Sequence, residues 1–392
     1  MWIERLLLRN FRNYDQAEIQ FCHGTNLIQG NNAQGKTNIL EALSLLSSGK
    51  SFRTRNTSDM IKTGSSFFYI EAWFHSEGVE QTLSLWFDGI TKKILHNQTP
   101  HNNFIALLGI LPSILIVPED INIIIGTPAE RRRFLDLHIA QIDPVYVYHL
   151  GRYYKAMKQR NVLLKEQSDA GMSAWEQIMA QSAAYLCLKR QAHLDELSRN
   201  ANTYLHILSD QTEHLDVKYN KSLPYALTEE DLYPLYLLHF HKMRKKEYIL
   251  KTTLQGPHRD EMMLLINEKE ARFFGSEGQK RCLITSLHLA ERDIFEKALG
   301  TSPLIGIDDF GSQLDPRRSA HLLHHTATLS QTILTSPTHF CVKHLQTGKS
   351  FTVQKGTIQS DQTEIDSTMT VGGKAFNGAG EGSSSPLFMN NN

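Results

Sequence analysis

Gly30-Asn31-Asn32-Ala33-Gln34-Gly35-Lys36-Thr37 is a complete G-x-x-x-x-G-K-T phosphate loop, and its surroundings have the required order of strand, loop and helix. The alternating run Ala17, Ile19, Phe21 and the segment Asn26 to Gln29 precede it, and Ile39, Leu40, Leu43 and Leu46 follow at helical spacing. Gly30 and Gly35 permit the positive φ angles that turn successive backbone N–H groups inward, so that phosphate oxygens rest on the loop at the positive end of the next helix. Lys36 adds a point charge toward the β- and γ-phosphates. Thr37 offers a hydroxyl to Mg²⁺, a cation that prefers hard oxygen ligands. The motif predicts a nucleoside triphosphate, ATP in the reading developed below, held by all eight residues.

At 392 residues the chain can bury a substantial core, and its length suggests two or three domains. Lys+Arg and Asp+Glu are equal at 41 each, so affinity for nucleic acid must come from local patches and not from a global field. Cys22, Cys187, Cys282 and Cys341 lie far apart with no metal-ligand spacing, which fits reduced thiols in a cytoplasm and predicts no structural zinc. No run approaches the ~18 apolar residues of a membrane span, and the N-terminus has no signal-peptide pattern. A cytoplasmic protein without membrane contact is expected.

Taken in order, Trp2 to Leu8 and Ala17 to Phe21 read as a strand pair beside the phosphate loop. Phe67 to Phe74 and Thr82 to Phe87 alternate as further strands, with Asp88-Gly89 as a type I′ hairpin signal. Ser113 to Val117 reads as a short buried strand, and Thr127-Pro128-Ala129-Glu130 starts a helix. From Pro144 to about Leu208 the pattern is a hairpin of long helices, with Ser173 to Glu176 read as a capping box at the second start. Leu223 to Tyr236 reads as a connector. Strands are expected at Tyr248 to Leu254, Met262 to Ile266 and Ala271 to Phe274, with one or two more up to Val353 before a polar, Gly/Ser-rich tail that reads as disordered.

The C-terminal third supplies the other half of a nucleotide site. Pro303 to Asp309 is an apolar strand ending in two carboxylates: Asp308 organises Mg²⁺ in such an arrangement, and Asp309 polarises an attacking water. Ahead of it, Ser276-Glu277-Gly278-Gln279 opens a helical pattern whose N-terminus can donate N–H groups to a phosphate. Phosphate loop, S-x-G-Q and acidic strand, in that order, are the arrangement of ATP-binding-cassette ATPases, in which the signature serves a partner subunit. Two alternatives stay open at this level, a nucleotide-binding subunit of an ABC transporter and a phosphotransferase with the helices as a lid.

Several strings narrow the choice: NFRNY (Asn10 to Tyr14), GNNAQGKTNILEA (Gly30 to Ala42), Ser51 to Arg53, PEDINIIIGTPAERRRFLD (Pro118 to Asp136), KQRNVLLK (Lys158 to Lys165), GPHRDE (Gly256 to Glu261) and IDDFGSQLDPRR (Ile307 to Arg318). In these the chain resembles the RecF family of DNA replication and repair proteins. The resemblance implies an α/β P-loop NTPase of the ABC ATPase-head type, related to the heads of SMC proteins, with an antiparallel β layer and an inserted helical, short coiled-coil-like arm. The expected division is 1–125 and 241–345 for the head, 126–240 for the arm, and 346–392 for terminal strands and tail. The resemblance further implies ATP-dependent homodimerisation, with Ser276, Gly278 and Gln279 of one copy over the triphosphate held by Lys36 of the other, and slow, DNA-stimulated hydrolysis with Asp309 and Lys36 as catalytic groups. It implies sequence-independent binding of single-stranded and gapped or junction duplex DNA, and promotion of RecA loading with RecO and RecR.

This chain departs from the family pattern at Glu277, where Gln is common, at Gln313, where Glu is usual, and in having no clear switch histidine. Lys280, one turn on, can partly offset the charge of Glu277. Between Gly126 and Lys165 basic residues exceed acidic ones, and Arg131, Arg132, Lys155, Lys158 and Arg160 are candidates for DNA backbone contact. Lys242, Arg244, Lys245 and Lys246 form a second cluster. Arg131 to Arg133 can equally brace the arm against the head.

Overall fold

The computed structural model describes residues 1–209, 212–221, 223, 228–311, 316–337 and 348–361. Strands β1 (Trp2–Phe11) and β2 (Tyr14–Gln20) form a hairpin, and β3 (Thr25–Gln29) leads through the phosphate loop into α1 (Lys36–Ser48). Next come β4 (Phe68–Ser76), β5 (Val79–Phe87), β6 (Lys92–His96), β7 (Thr99–His101) and β8 (Ser113–Ile116). Helices α2 (Asn122–Ile125), α3 (Pro128–Ile142), α4 (Pro144–Glu166) and α5 (Met172–Leu208) precede β9 (Leu215–Asn220) and α6 (Glu229–Leu250). The chain continues with β10 (Glu261–Ile266), β11 (Lys269–Glu270), α7 (Ala271–Phe274), α8 (Glu277–Leu299) and β12 (Leu304–Ile307). It ends in α9 (Pro316–Leu329), β13 (Thr332–Ser336), β14 (Gly348–Gln354) and β15 (Thr357–Asp361).

Alternation along the central strands divides the interior in two. The sheet β15-β14-β3-β13-β12-β8 is parallel except for β15, and successive side chains of a strand point to opposite faces. Leu27, Ile305 and Leu334 therefore enter a core shared with α3, α5 and α8. Their neighbours Ile28, Leu304 and Ile333 enter a second core with α1 and the antiparallel sheet β2-β1-β4-β5-β6-β7. Burial on both faces is why these strands are almost continuously apolar. Gly306 of β12 leaves room for this packing, since a Cβ there would lie 2.4 Å from Leu115 Cδ2 and 3.1 Å from Leu40 Cδ2.

The helical hairpin forms as expected and is tied down by buried charge. Helix α5 has 37 residues, roughly 55 Å at a helical rise, and packs along both α4 and α8. Arg160 of α4 is fully buried: its guanidinium donates to Glu176 Oε1 of α5 at 3.0 and 3.2 Å and to Thr253 Oγ1 at 3.0 Å, and lies 2.6 Å from Glu247 Oε2 of α6. Arg244 also donates to Glu176, at 2.5 and 2.9 Å.

That network overturns three sequence expectations. Glu176 is not part of a capping box; Gly171, at φ +80°, precedes the helix instead. The connector read over Leu223 to Tyr236 and the strand read over Tyr248 to Leu254 are largely α6, begun by Thr228, whose hydroxyl accepts from Asp231 N. Pro234 forfeits a hydrogen bond near the helix start, but Leu232, Tyr236, Phe240 and Glu247 are buried on one face and outweigh that loss. The expected boundary at 240 falls inside this helix. Ala271 to Phe274, read as a strand, is the helical turn α7, closed by Gly275 N donating to Ala271 O. The β5–β6 connection is a four-residue loop in which the Asp88 carboxylate accepts from Ile90 N and Thr91 N, and not a two-residue type I′ turn. The tail beyond 361 and Gln313 lie outside the described residues.

Removing one partner of a buried ion network leaves uncompensated charge, so Arg160→Met is expected to lower unfolding free energy by about 3–5 kcal/mol. Denaturant titration checks this, and adding Glu247→Leu to the same chain should recover part of the loss.

Candidate functional site

The carboxyl ends of β3, β13 and β12 open into a cleft of about 680 Å³, the usual ligand position of a parallel sheet. Lys36, Thr37, Asp308, Asp309 and Thr335 line it. Thr37 Oγ1 is 2.9 and 3.0 Å from the two carboxylate oxygens of Asp308, so residues 271 positions apart meet in one hydrogen bond. Strand β13 lies between β3, which leads through the loop to Thr37, and β12, which leads to Asp308, and its Thr335 completes the join. The Thr335 hydroxyl donates to Asp308 Oδ1 at 2.6 Å and accepts from Asp309 N at 2.9 Å, which steadies Asp309 at φ +56°.

Burial raises the pKa of Asp308, the charge of Asp309 adds to this, and the Thr335 and Thr37 hydroxyls and Lys36 pull the other way. Burial likewise lowers the pKa of Lys36 against the attraction of both aspartates. The Lys36 ammonium donates to the carbonyls of Gly30 and Asn31 at 2.7 and 2.8 Å, which holds it over the loop. A hydroxyl and a carboxylate in contact form a hard-oxygen pair that suits Mg²⁺, and a lysine poised over inward-turned amides suits a polyphosphate.

Both loop glycines have the expected backbone, with φ +149° at Gly30 and +119° at Gly35, and Ala33 joins them at +64°. Each glycine also answers to a neighbour. A Cβ at Gly30 would lie 2.3 Å from Val353 O of β14, and one at Gly35 within 2.8 Å of Asn13 and Tyr14. Two hairpin turns bracket Gln34: its carbonyl accepts from Asn13 Nδ2 at 2.7 Å and from Gly356 N at 3.2 Å, and its side-chain Oε1 accepts from Lys355 N. Tyr14 donates to Gly35 O, and Asn38 Nδ2 to Asn13 Oδ1. Beneath them the fully buried Glu41 of α1 accepts from Nε and Nη2 of Arg12 and from the Ser51 hydroxyl, while Arg53 donates to Asn38 Oδ1.

Arg12, Asn13, Arg53 and Thr335 thus belong to the cleft without any motif of their own. Their nearest sequence signals were the NFRNY and Ser51–Arg53 strings, read only as marks of resemblance.

The signature lies apart from this cleft: none of Ser276, Gly278 and Gln279 lines it. They form the start of α8, with Ser276 exposed and Gly278 and Gln279 half-buried, where Ser276 Oγ accepts from Gln279 N and Gln279 Oε1 accepts from Ser276 N. The expected Glu277–Lys280 contact is present at 3.3 Å. His339 lies outside the described residues.

The DNA candidates divide. Arg131 is buried, donating to the carbonyls of Ile123, Ile124 and Gly126 and pairing with Glu261, and Arg160 is the fully buried hub described above. Neither guanidinium can reach a phosphate backbone, because each is consumed in holding elements together. Arg132 donates to Asp260 O at 2.9 Å, so the first two arginines of this run brace α3 against β10 and its approach. Lys155 and Lys158 are exposed on the outer face of α4.

The family model described as the RecF/RecN/SMC N terminal domain matches residues 2–360. The DNA replication and repair protein RecF of Protochlamydia amoebophila is 38% identical over 350 residues, covering 89% of this chain and 98% of the relative. The chain belongs to the RecF family. RecF of Exiguobacterium sp. is 34% identical across 100% of its own length. A structure described as the recombination mediator protein RecF-ATP in the RecFOR pathway superposes with a TM-score of 0.84 at 29% identity, covering 92% of this chain and 99% of that one. The Smc head domain of Pyrococcus furiosus, at TM-score 0.55 and 16% identity, shares the fold. The ABC ATPase-head architecture is thereby shown.

A raised carboxylate pKa means that the folded protein alone holds the Asp308 proton more tightly than the unfolded chain does, so ionised Asp308 costs stability above that pKa and the cost disappears below the unfolded value. Asp308→Asn is expected to raise the melting temperature without nucleotide by about 2 °C at neutral pH, and the gain should vanish toward acid pH. Thermal unfolding across pH checks both.

Proposed function

We propose that this chain is an ATP-controlled DNA-binding protein of recombinational repair, in which ATP joins two copies and its slow hydrolysis separates them. The single observation that carries the reading is the contact of Thr37 with Asp308, which unites the phosphate loop with the acidic strand. All eight loop residues, Gly30 to Thr37, bind the triphosphate, with Lys36 on its β- and γ-oxygens. Thr37 and Asp308 would hold Mg²⁺, which when bound neutralises charge building on the phosphates. Asp309, beside them, polarises a water for attack on the γ-phosphorus. ATP-bound relatives of the same fold support the choice of nucleotide.

The partner copy completes the site. Ser276, Gly278 and Gln279 sit at a partly exposed helix start away from their own cleft, which suits donation of N–H groups to a triphosphate held by another copy. Glu277, 71% exposed at its side chain, weakens that contact by its charge and makes slow turnover the expectation.

DNA, single-stranded or at gaps and junctions, meets the exposed lysines of α4, Lys155 and Lys158. RecO and RecR as partners, and RecA loading, belong to the same reading, and the neighbours described as recombination mediators in the RecFOR pathway support it. Family membership weighs against the transporter-subunit reading.

Lys36→Ala should abolish ATP binding in equilibrium dialysis. Ser276→Arg should retain ATP binding but remain a single copy when sedimented with ATP, where the unaltered chain pairs; an unaltered chain whose copy number ignores ATP, or a Ser276→Arg chain that pairs as well as the unaltered one, would sink the trans-site reading. Lys155→Glu with Lys158→Glu should weaken DNA binding and reduce its salt slope by about 2, measured by anisotropy on a gapped duplex.

A further inference from the structure

Beside the nucleotide cleft, and separated from it by one turn of chain, lies a second cleft of roughly 300 Å³ between α1, β8 and α3. Its floor is an unpaired sheet edge. Among the described residues, strand β8 ends the central sheet and pairs with β12 alone. Leu304 N donates to Pro112 O and Asp308 N to Ile116 O, so the backbone groups of Pro112, Ile114 and Ile116 point toward β12. By the alternation of a strand, those of Ser113 and Leu115 point the other way, and both residues line the cleft. Among the described residues, neither has a backbone partner on that side. Ser113 is buried, where unpaired backbone groups are costly.

A second observation points to what such an edge receives. His288 of α8 also lines the cleft, and its side chain is 4% exposed. Its Nε2 donates to Asp120 Oδ2 at 3.0 Å, and among the described residues its buried Nδ1 has no hydrogen-bond partner. Glu119, Asp120 and Glu130 line the same space against the single cation Arg133. The surroundings therefore combine a strand edge and an excess of carboxylates.

We propose that this cleft is a docking groove for an extended, lysine-bearing peptide segment of a partner protein, which adds a short strand to β8 and brings its ammonium to the carboxylates of Glu119, Asp120 and Glu130. Main-chain hydrogen bonds at Ser113 and Leu115 supply affinity, and the lysine supplies selectivity. The groove also shares a wall with the nucleotide site. In the turn Val117 to Asp120, Pro118 lines the nucleotide cleft while Val117 and Asp120 line this one, and the Asp120 carboxylate accepts from Val117 N at 2.8 Å. Peptide and nucleotide thus act on one turn, and each changes the affinity of the other by the same factor.

The probe is a fluorescein-labelled heptapeptide of alternating threonine and valine with a central lysine, titrated into the full chain and read by anisotropy. Saturable binding is expected, about tenfold weaker with glutamate at the centre and about tenfold weaker when the residues flanking the lysine are N-methylated, since each change removes an essential contact. Ser48→Trp, which fills the mouth of the groove, should abolish peptide binding and leave ATP binding intact. Lys36→Ala should do the reverse, so failure of this proposal is separable from failure of the proposed function. Absence of binding, equal binding of the N-methylated probe, or undiminished binding to Ser48→Trp would overturn the groove. Peptide affinity unchanged by saturating ATP would overturn the coupling.

Discussion

One hydrogen-bonded join, between the Thr37 hydroxyl and the Asp308 carboxylate, depends on nearly every feature of the fold and gives them their purpose. It requires β3 and β12 to end at the same level with β13 between them, and the parallel register does this by pairing Leu334 with Leu27 and Ile307 with Leu334. It requires α1 to lie close on the sheet, which the missing side chain of Gly306 allows. It also requires a buried carboxylate to be tolerated, and the hydroxyls of Thr37 and Thr335 provide that tolerance. The site is strained toward neutral forms in the protein alone, so a bound cation and polyphosphate would relieve what burial imposes.

The phosphate loop is not shaped by its own residues alone. Turns from the two ends of the chain, at Asn13 and at Lys355–Gly356, hold Gln34 between them, and a buried carboxylate at Glu41 anchors Arg12 beneath the first of these turns. The antiparallel layer and the terminal hairpin are therefore part of the nucleotide site's support. Changes in either would register as altered loop geometry without touching a motif.

On the opposite face of the sheet, buried ionic groups join elements that periodicity alone would leave separate. Arg160 gathers α4, α5 and α6, Arg131 links the end of α2 to β10, and His193 of α5 meets the fully buried Glu291 of α8 at 2.8 Å. Such pairs contribute little net stability relative to apolar packing, yet they penalise any arrangement that separates them. Because α8 begins with the signature and α5 belongs to the helical hairpin, a displacement of the hairpin cannot leave the signature helix unaffected.

Local chemistry was sufficient to read the phosphate loop, the acidic strand, the signature helix, the first hairpin and the long helices, because each depends on spacing within a few residues: glycines where φ must be positive, apolar residues at helical or alternating period, carboxylates at a strand end. The same local reading failed where distant partners decide. Aromatic and β-branched residues at 248–250 suggest a strand, but Glu247 and Arg244 are held by α4 and α5, and the segment is helical. Arg131 and Arg160 carry the same charge as Lys155 and Lys158, and only burial separates structural cations from exposed ones. Thr335, Asn13 and Arg12 have no short-range signature, since their role arises from contacts across tens to hundreds of residues. Sequence by itself determined which chemistry this protein carries, because phosphate recognition resides in a contiguous loop. Tertiary structure alone decided which charges are spent inside, what braces the loop, and which strand edge stays open, because burial and pairing are properties of packed neighbours and not of any single stretch.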